Sequence, residues 1–171
     1  MLTPAQLKQH AALGITQQYA SRRLPFYPEA SELVDVGENI VGRMQRLTPA
    51  AALRWQEMVV AAGEDGLPLL IVSGFRSFDY QAGLIQKKLD AGQSIAEILT
   101  VNAAPGYSEH HSGNAIDIAV PGSPPLTENF ETQAAFAWLT ESAARFGFRM
   151  SYPRDNPAGF IYEPWHWALT D

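Results

Sequence analysis

Residues 115–120 (AIDIAV) alternate strictly: Ile116, Ile118 and Val120 point one way, and Ala115, Asp117 and Ala119 the other, the period-two pattern of a strand. Asp117 is therefore expected to leave the core on a face cleared by two alanines. Residues 67–72 form a short apolar run between Gly66 and Ser73-Gly74, which reads as a buried strand delivering Ser73-Gly74-Phe75-Arg76-Ser77 at its end. Elsewhere the period is helical. Thr3-Pro4 and Thr48-Pro49 each set a capping hydroxyl before a proline suited to the first helical position. The second of these helices runs to Gly63, with Leu53, Met58, Val59 and Ala62 near helical spacing and facing the core. Residues 77–91 place Tyr80, Leu84, Ile85 and Leu89 roughly on one side, and Ser94 with Glu97 forms a capping box ahead of a short helix. Residues 127–147 read as one long helix carrying Phe130, Ala134, Ala137, Trp138, Glu141 and Phe146, ended by Gly147. Residues 24–47, with two prolines and two glycines, predict a short helix or irregular wrap, and the closing GFIYEPWHWAL reads as an aromatic strand.

These elements predict an α+β fold: a small central antiparallel sheet carrying the functional site on one face, flanked by helices. At 171 residues the chain is long enough for one hydrophobic core, and one domain is the expectation, with residues 1–65 a helical part packing on a core of residues 66–171. The composition, 46% hydrophobic and 18% charged, is that of an ordinary globular chain rather than a disordered one. A net charge of −6 argues against a nucleic-acid partner, which needs a basic stripe. The start of the chain, through Arg23, lacks the charged-then-apolar pattern of an export signal, so the sequence as it stands reads as cytoplasmic, with the cell envelope as the alternative compartment. No stretch reaches the ~20 apolar residues of a membrane span. With no cysteine, any transition metal must be held by nitrogen and oxygen.

Three of the four histidines lie in two segments that also hold acidic residues, His110 and His111 in SEHHSGNAIDI and His166 in EPWHW. A catalytic zinc needs three protein ligands, imidazole or carboxylate, and an open position for water; His110, Asp117 and His166 would supply that set. His110 can sit in a turn with Ser112 and Gly113, and the strand that follows returns Asp117 beside it. Glu163, three residues before His166, suits a general base near the metal but not bound to it. Strict alternation would set Glu163 and His166 on opposite faces of a strand, and a kink at Pro164 is the expected resolution. Arg76, in the turn after a buried strand, offers a fork of donors to a carboxylate or a developing oxyanion, with a surface salt bridge as the competing account. Trp165 and Trp167 read as core and cavity wall, Trp165 with a place in the substrate pocket. His10 reads as an ordinary helix residue.

The motifs SGFRS, SEHHSGNAIDI and EPWHW, spanning residues 73–167, resemble the D-alanyl-D-alanine carboxypeptidase family of zinc peptidases, the VanY type, related to the vancomycin-resistance D,D-dipeptidases. The family pattern SxHxxGxAxD implies His110 and Asp117 as zinc ligands, and its closing ExxH implies Glu163 as base and His166 as third ligand. The resemblance also implies that Arg76, Gln81 and Ser108 hold the substrate's terminal residue. His111 stands where relatives often carry Gln or another polar residue, and Ser108 and Gly113 fix the register in favour of His110.

The implied activity is that of a monomeric peptidase, with one zinc per chain, cleaving the bond before a C-terminal D-amino acid in peptidoglycan stem peptides or in D-Ala-D-Ala. Relatives with the same ligands cut as L,D-carboxypeptidases or phage-type endopeptidases, and signalling domains of the hedgehog type share the zinc scaffold as binding modules. Glu163 argues against the binding module, and defined muropeptides separate the two peptidase readings.

Overall fold

The computed structural model describes residues 1–20 and 24–170; Ser21 to Arg23, at the end of the N-terminal stretch, and Asp171 lie outside the described residues. In chain order the elements are α1 (Pro4–Ala12), α2 (Gln17–Ala20), β1 (Val34–Glu38), β2 (Met44–Leu47), α3 (Pro49–Glu64), β3 (Leu70–Ser73), α4 (Phe78–Asp90), α5 (Ile95–Val101), a 3-10 turn (Glu109–Ser112) and β4 (Ala115–Ala119). The 3-10 turn Glu128–Thr132, α6 (Ala134–Ser142), the 3-10 turn Ala143–Phe146, β5 (Phe148–Met150) and β6 (His166–Leu169) complete the chain. A four-stranded antiparallel sheet has the order β3-β4-β6-β5, and β1 and β2 form a separate hairpin. This is the expected α+β architecture with a small antiparallel sheet among helices.

β4 lies between β3 and β6, and all five of its residues are buried. The predicted alternation holds across it. Ile116 and Ile118 enter the main core with Ile71 of β3 and Trp167 of β6, their partners across the sheet. Asp117 pairs instead with Ser73 and His166 on the other face. α3 covers the core face with Ala51, Trp55, Met58 and Ala62, and Leu139, Ala143 and Phe148 close it from the C-terminal half. At about 1.5–3 kcal/mol for each large aliphatic or aromatic side chain buried, this face supplies the driving force for the sheet.

The capping devices form as expected. Thr3 and Ser94 make complete capping boxes with Gln6 and Glu97, and the Thr48 hydroxyl accepts from the Ala51 N–H at the start of α3. On two helices Met58, Ala62 and Ile85 are buried as expected, but one expected residue of each faces out. In α3, Leu53 is exposed and Trp55 is buried; in α4, Tyr80 is exposed and Phe78, Gln81, Ala82 and Ile85 are buried. Spacing alone did not distinguish two overlapping apolar stripes on these helices; the sheet chose between them for α3, and the N-terminal segment with α5 chose for α4.

Three further expectations are corrected. Residues 24–33 are an irregular wrap, one of the two alternatives expected, but residues 34–47 form the β1–β2 hairpin, because Val34–Glu38 gains its pairing only from Met44–Leu47. The segment 127–147 is broken into two 3-10 turns around α6, and Gly147 ends it with φ of 81°. The closing aromatic strand is shorter than read and begins only at His166. A second apolar cluster, Leu13, Ile15, Tyr19, Ala82, Ile85, Ile98 and Ala104, fastens the N-terminal helices to α4 and α5. His10 is buried there, its Nε2 2.8 Å from the Pro105 carbonyl and its ring stacked on Phe78. Among the described residues no helix is long and apolar enough to cross a membrane.

Candidate metal centre and active site

The sheet register brings the site together. Asp117 and His166 face each other across β4 and β6, with His166 Nδ1 2.9 Å from Asp117 Oδ1. His110 comes from the 3-10 turn immediately before β4, which Gly113 ends in the left-handed conformation at φ 69°. A side chain at Gly113 would also meet Leu33, Thr48 and Ala30 at 3.0–3.2 Å, so both backbone and space require glycine there. One donor atom from each of His110, Asp117 and His166 lies within 4.8 Å of the others, and all three residues are buried.

His110 is oriented by the SGFRS turn. Its Nδ1 lies 2.7 Å from the Gly74 carbonyl, which accepts the ring proton. Gly74 itself sits against β2, where a Cβ would come within 2.6 Å of the Arg46 carbonyl oxygen. With the proton on Nδ1, the lone pair of His110 lies on Nε2, 3.2 Å from Asp117 Oδ2 and without a hydrogen-bond partner among the described residues. Burial, reinforced by the Arg76 charge, lowers His110 to about 4, so the ring is neutral at pH 7. Two acceptors therefore face each other in a buried site, an arrangement that a metal cation satisfies.

His111 is not available for this role. Its Nδ1 donates to the Arg76 carbonyl at 2.6 Å, and its Nε2 accepts from the Gly106 N–H at 2.9 Å. Both nitrogens are spent on backbone, so the adjacent imidazole fixes the Arg76 turn.

Glu163 and His166 reach one cavity by a route different from the expected strand kink. The His166 N–H donates to the Glu163 carbonyl at 3.1 Å, so the two residues close a tight turn through Pro164 and Trp165 before β6 begins. Glu163 Oε2 lies 3.9 Å from His166 Nδ1, beside the three-donor group and outside it. Burial, helped by the nearby Asp117 charge and opposed by His166, raises this carboxyl to about 7. His166 shows the opposite balance: burial alone would lower it, but hydrogen bonds to Asp117 and Glu109 outweigh burial and lift it to about 10. Asp117 is held well below the usual range because its contacts with the two histidines and Arg76 overcome the cost of burial.

Arg76 is no surface salt bridge. Its Nε donates to Ser73 Oγ at 3.0 Å, its Nη1 to Gln81 Oε1 at 3.1 Å and its Nη2 to Asp117 Oδ2 at 2.8 Å. Gln81 is buried, with its amide nitrogen donating to the Ala103 carbonyl at 2.8 Å. Both ends of that amide are thus occupied, and Gln81 meets the site through Arg76. A cavity of about 400 Å³ opens over this constellation. Ser108, Arg76, Gln81, Trp165 and Glu163 line it together with His110, Asp117 and His166. Sequence reasoning missed three residues here. Lys88 lines the same cavity, Tyr152 packs on the His166 ring at 4.8 Å, and Glu109 places Oε2 2.9 Å from His166 Nε2. Only Glu109 carried a signal, as an acidic residue next to a ligand candidate.

Residues 44–170 match the VanY D-alanyl-D-alanine carboxypeptidase family. A D-alanyl-D-alanine carboxypeptidase of Enterococcus faecium is 38% identical over 174 residues, which cover 96% of this chain and 52% of that protein. The LdcB LD-carboxypeptidase structure aligns with a TM-score of 0.73 and 31% identity, covering 82% of this chain and 69% of that one. A vancomycin-resistance D,D-pentapeptidase VanY structure in complex with Zn(II) aligns with a TM-score of 0.65 and 26% identity, covering 88% and 89% of the two chains. The chain spans about half the length of the curated relatives it matches, 57%, 45% and 52% for three of them.

Proposed function

Because the chain belongs to the VanY D-alanyl-D-alanine carboxypeptidase family, we propose that it is a zinc-dependent peptidase that removes a C-terminal D-amino acid from peptidoglycan stem peptides or from D-Ala-D-Ala. One observation carries the reading: the unpartnered His110 Nε2 aimed at Asp117 Oδ2, with His166 completing a buried nitrogen and oxygen set. His110, Asp117 and His166 are the residues that would hold the zinc. Zinc bound there supplies Lewis acidity toward the scissile carbonyl and makes a water more acidic.

The remaining steps belong to the protein. Glu163 takes the proton of the attacking water on its carboxylate and passes it to the departing amine, and its raised pKa puts it near neutrality, where both transfers are feasible. Arg76 has five N–H groups, of which three are used by Ser73, Gln81 and Asp117; the others serve the substrate carboxylate or the developing oxyanion. Gln81 acts as a positioning residue for Arg76, while Ser108 and Trp165 shape the pocket for the terminal residue.

The likeness to the LdcB LD-carboxypeptidase favours a second reading, release of D-Ala from a stem tetrapeptide across an L,D bond. Mass spectrometry of products from a tetrapeptide stem, a pentapeptide stem and free D-Ala-D-Ala separates the two. Loss of one residue from the pentapeptide, or cleavage of the dipeptide, is the expected result. Cleavage of the tetrapeptide alone selects the L,D reading, and no cleavage of any substrate overturns both in favour of a binding module.

A further inference from the structure

Glu109 is a buried carboxylate that the proposed reaction does not use. It approaches His166 at Nε2, at 2.9 Å, whereas Asp117 and Glu163 approach the same ring at Nδ1. Its own surroundings form a second cavity, about 260 Å³, lined by Tyr27, Arg149, Ser151 and Tyr152. The Tyr27 hydroxyl donates to Glu109 Oε1 at 3.2 Å, and Arg149 Nη2 stands 3.8 Å from the same oxygen. Tyr27 is fixed in turn: its N–H donates to the Gly106 carbonyl at 2.8 Å, and the Ala30 N–H donates to the His111 carbonyl at 2.8 Å. The segment around Tyr27, which carried no motif, is thereby laid along the turn that supplies His110.

A neutral imidazole has one ring proton. An anionic acceptor at Nε2 keeps that proton there and leaves the lone pair on Nδ1, the nitrogen that faces Asp117. We propose that Glu109 is a positioning residue that holds His166 in the tautomer and orientation needed to bind a divalent metal through Nδ1, and that Tyr27 and Arg149 hold Glu109. The inference rests on the reading of His110, Asp117 and His166 as the metal site.

Zinc affinity of the full chain, measured by competition with a chromophoric chelator at neutral pH, tests it, with urea unfolding of each metal-free variant in parallel. Glu109→Ala should bind zinc about 10–100-fold more weakly than wild type. Glu109→Gln, which keeps an acceptor oxygen, should restore part of that loss, and Tyr27→Phe should show a smaller loss in the same direction. A purely structural Glu109 would lower the urea midpoint and leave the zinc affinity of the folded protein unchanged. If Glu109→Ala fails to fold, Glu109→Gln and Tyr27→Phe decide; wild-type affinity in both overturns the inference. It is likewise overturned if Glu109→Ala binds as wild type does while His166→Ala loses zinc. Zinc retained by His166→Ala, or no zinc bound by wild type, removes the metal-site reading itself and this inference with it.

Discussion

The two faces of β4 are equally buried and do opposite work. Ile116 and Ile118 lie in the main apolar cluster, and each stabilises the fold by leaving water. One residue away on the other face, Asp117 collects Arg76, His110 and His166 within 3.2 Å, and every one of these groups costs free energy to bury unless paired. The comparison teaches that burial here is not a measure of stability. The core face holds the strand, and the site face uses that rigidity to keep mutually repelling or unmatched polar atoms at fixed separations.

Three substitutions probe this division through four measurements, in falling order of effect. Asp117→Ala removes the hub of the site face and leaves the Arg76 guanidinium without its ion partner. Metal analysis should find zinc lost, and urea unfolding should show a loss of about 3–5 kcal/mol. A variant that kept stoichiometric zinc would exclude Asp117 as a ligand. Glu163→Gln keeps the shape and removes the proton carrier, so kcat should fall about 10²–10⁴-fold with zinc content near wild type. Turnover near the wild-type rate would take Glu163 out of the mechanism.

Ile118→Ala breaks the other face. It should cost about 2–5 kcal/mol in urea unfolding, while kcat per folded molecule stays unchanged. A matching loss of kcat would show that the two faces are not separable.

The smallest effect has the opposite sign. In the metal-free protein Glu163 is raised from 4.5 to about 7, so the folded state holds this proton more tightly than the unfolded chain. Its contribution to stability is present below about pH 4.5 and is lost as pH rises through about 7. Glu163→Gln cannot ionise, so metal-free Glu163→Gln should be more stable than metal-free wild type at pH 8, by up to about 3 kcal/mol, and the two should converge near pH 4. An equal difference at both pH values would mean that the gain comes from packing. The same raised carboxyl predicts an acidic limb in the pH profile of kcat/KM that Glu163→Gln lacks, with bound zinc moving the limb downward.

The sequence by itself determined what depends on near neighbours. Caps are local hydrogen bonds, so Thr3, Thr48 and Ser94 could be read directly. The period of Ala115–Ala119 assigned Asp117 a face without knowledge of what covered it. The pairing of acidic residues with histidines in two segments named the donor set that the sheet then gathered. Tertiary structure alone decided what depends on distant partners. The inward face of α3 turned on where the sheet lay and that of α4 on the N-terminal segment and α5, and the β1–β2 hairpin exists only through pairing between its strands. The meeting of Glu163 with His166 in a turn, and the use of Gln81 to hold Arg76, followed from where the chain returned. Glu109 is the sharpest case. Its carboxylate lies next to His110 in sequence, yet its partners are His166, 57 residues away, and Tyr27, 82 residues away. Local pattern carries no information on such contacts, because burial and pairing of a charge are set by the whole fold rather than by its neighbours along the chain.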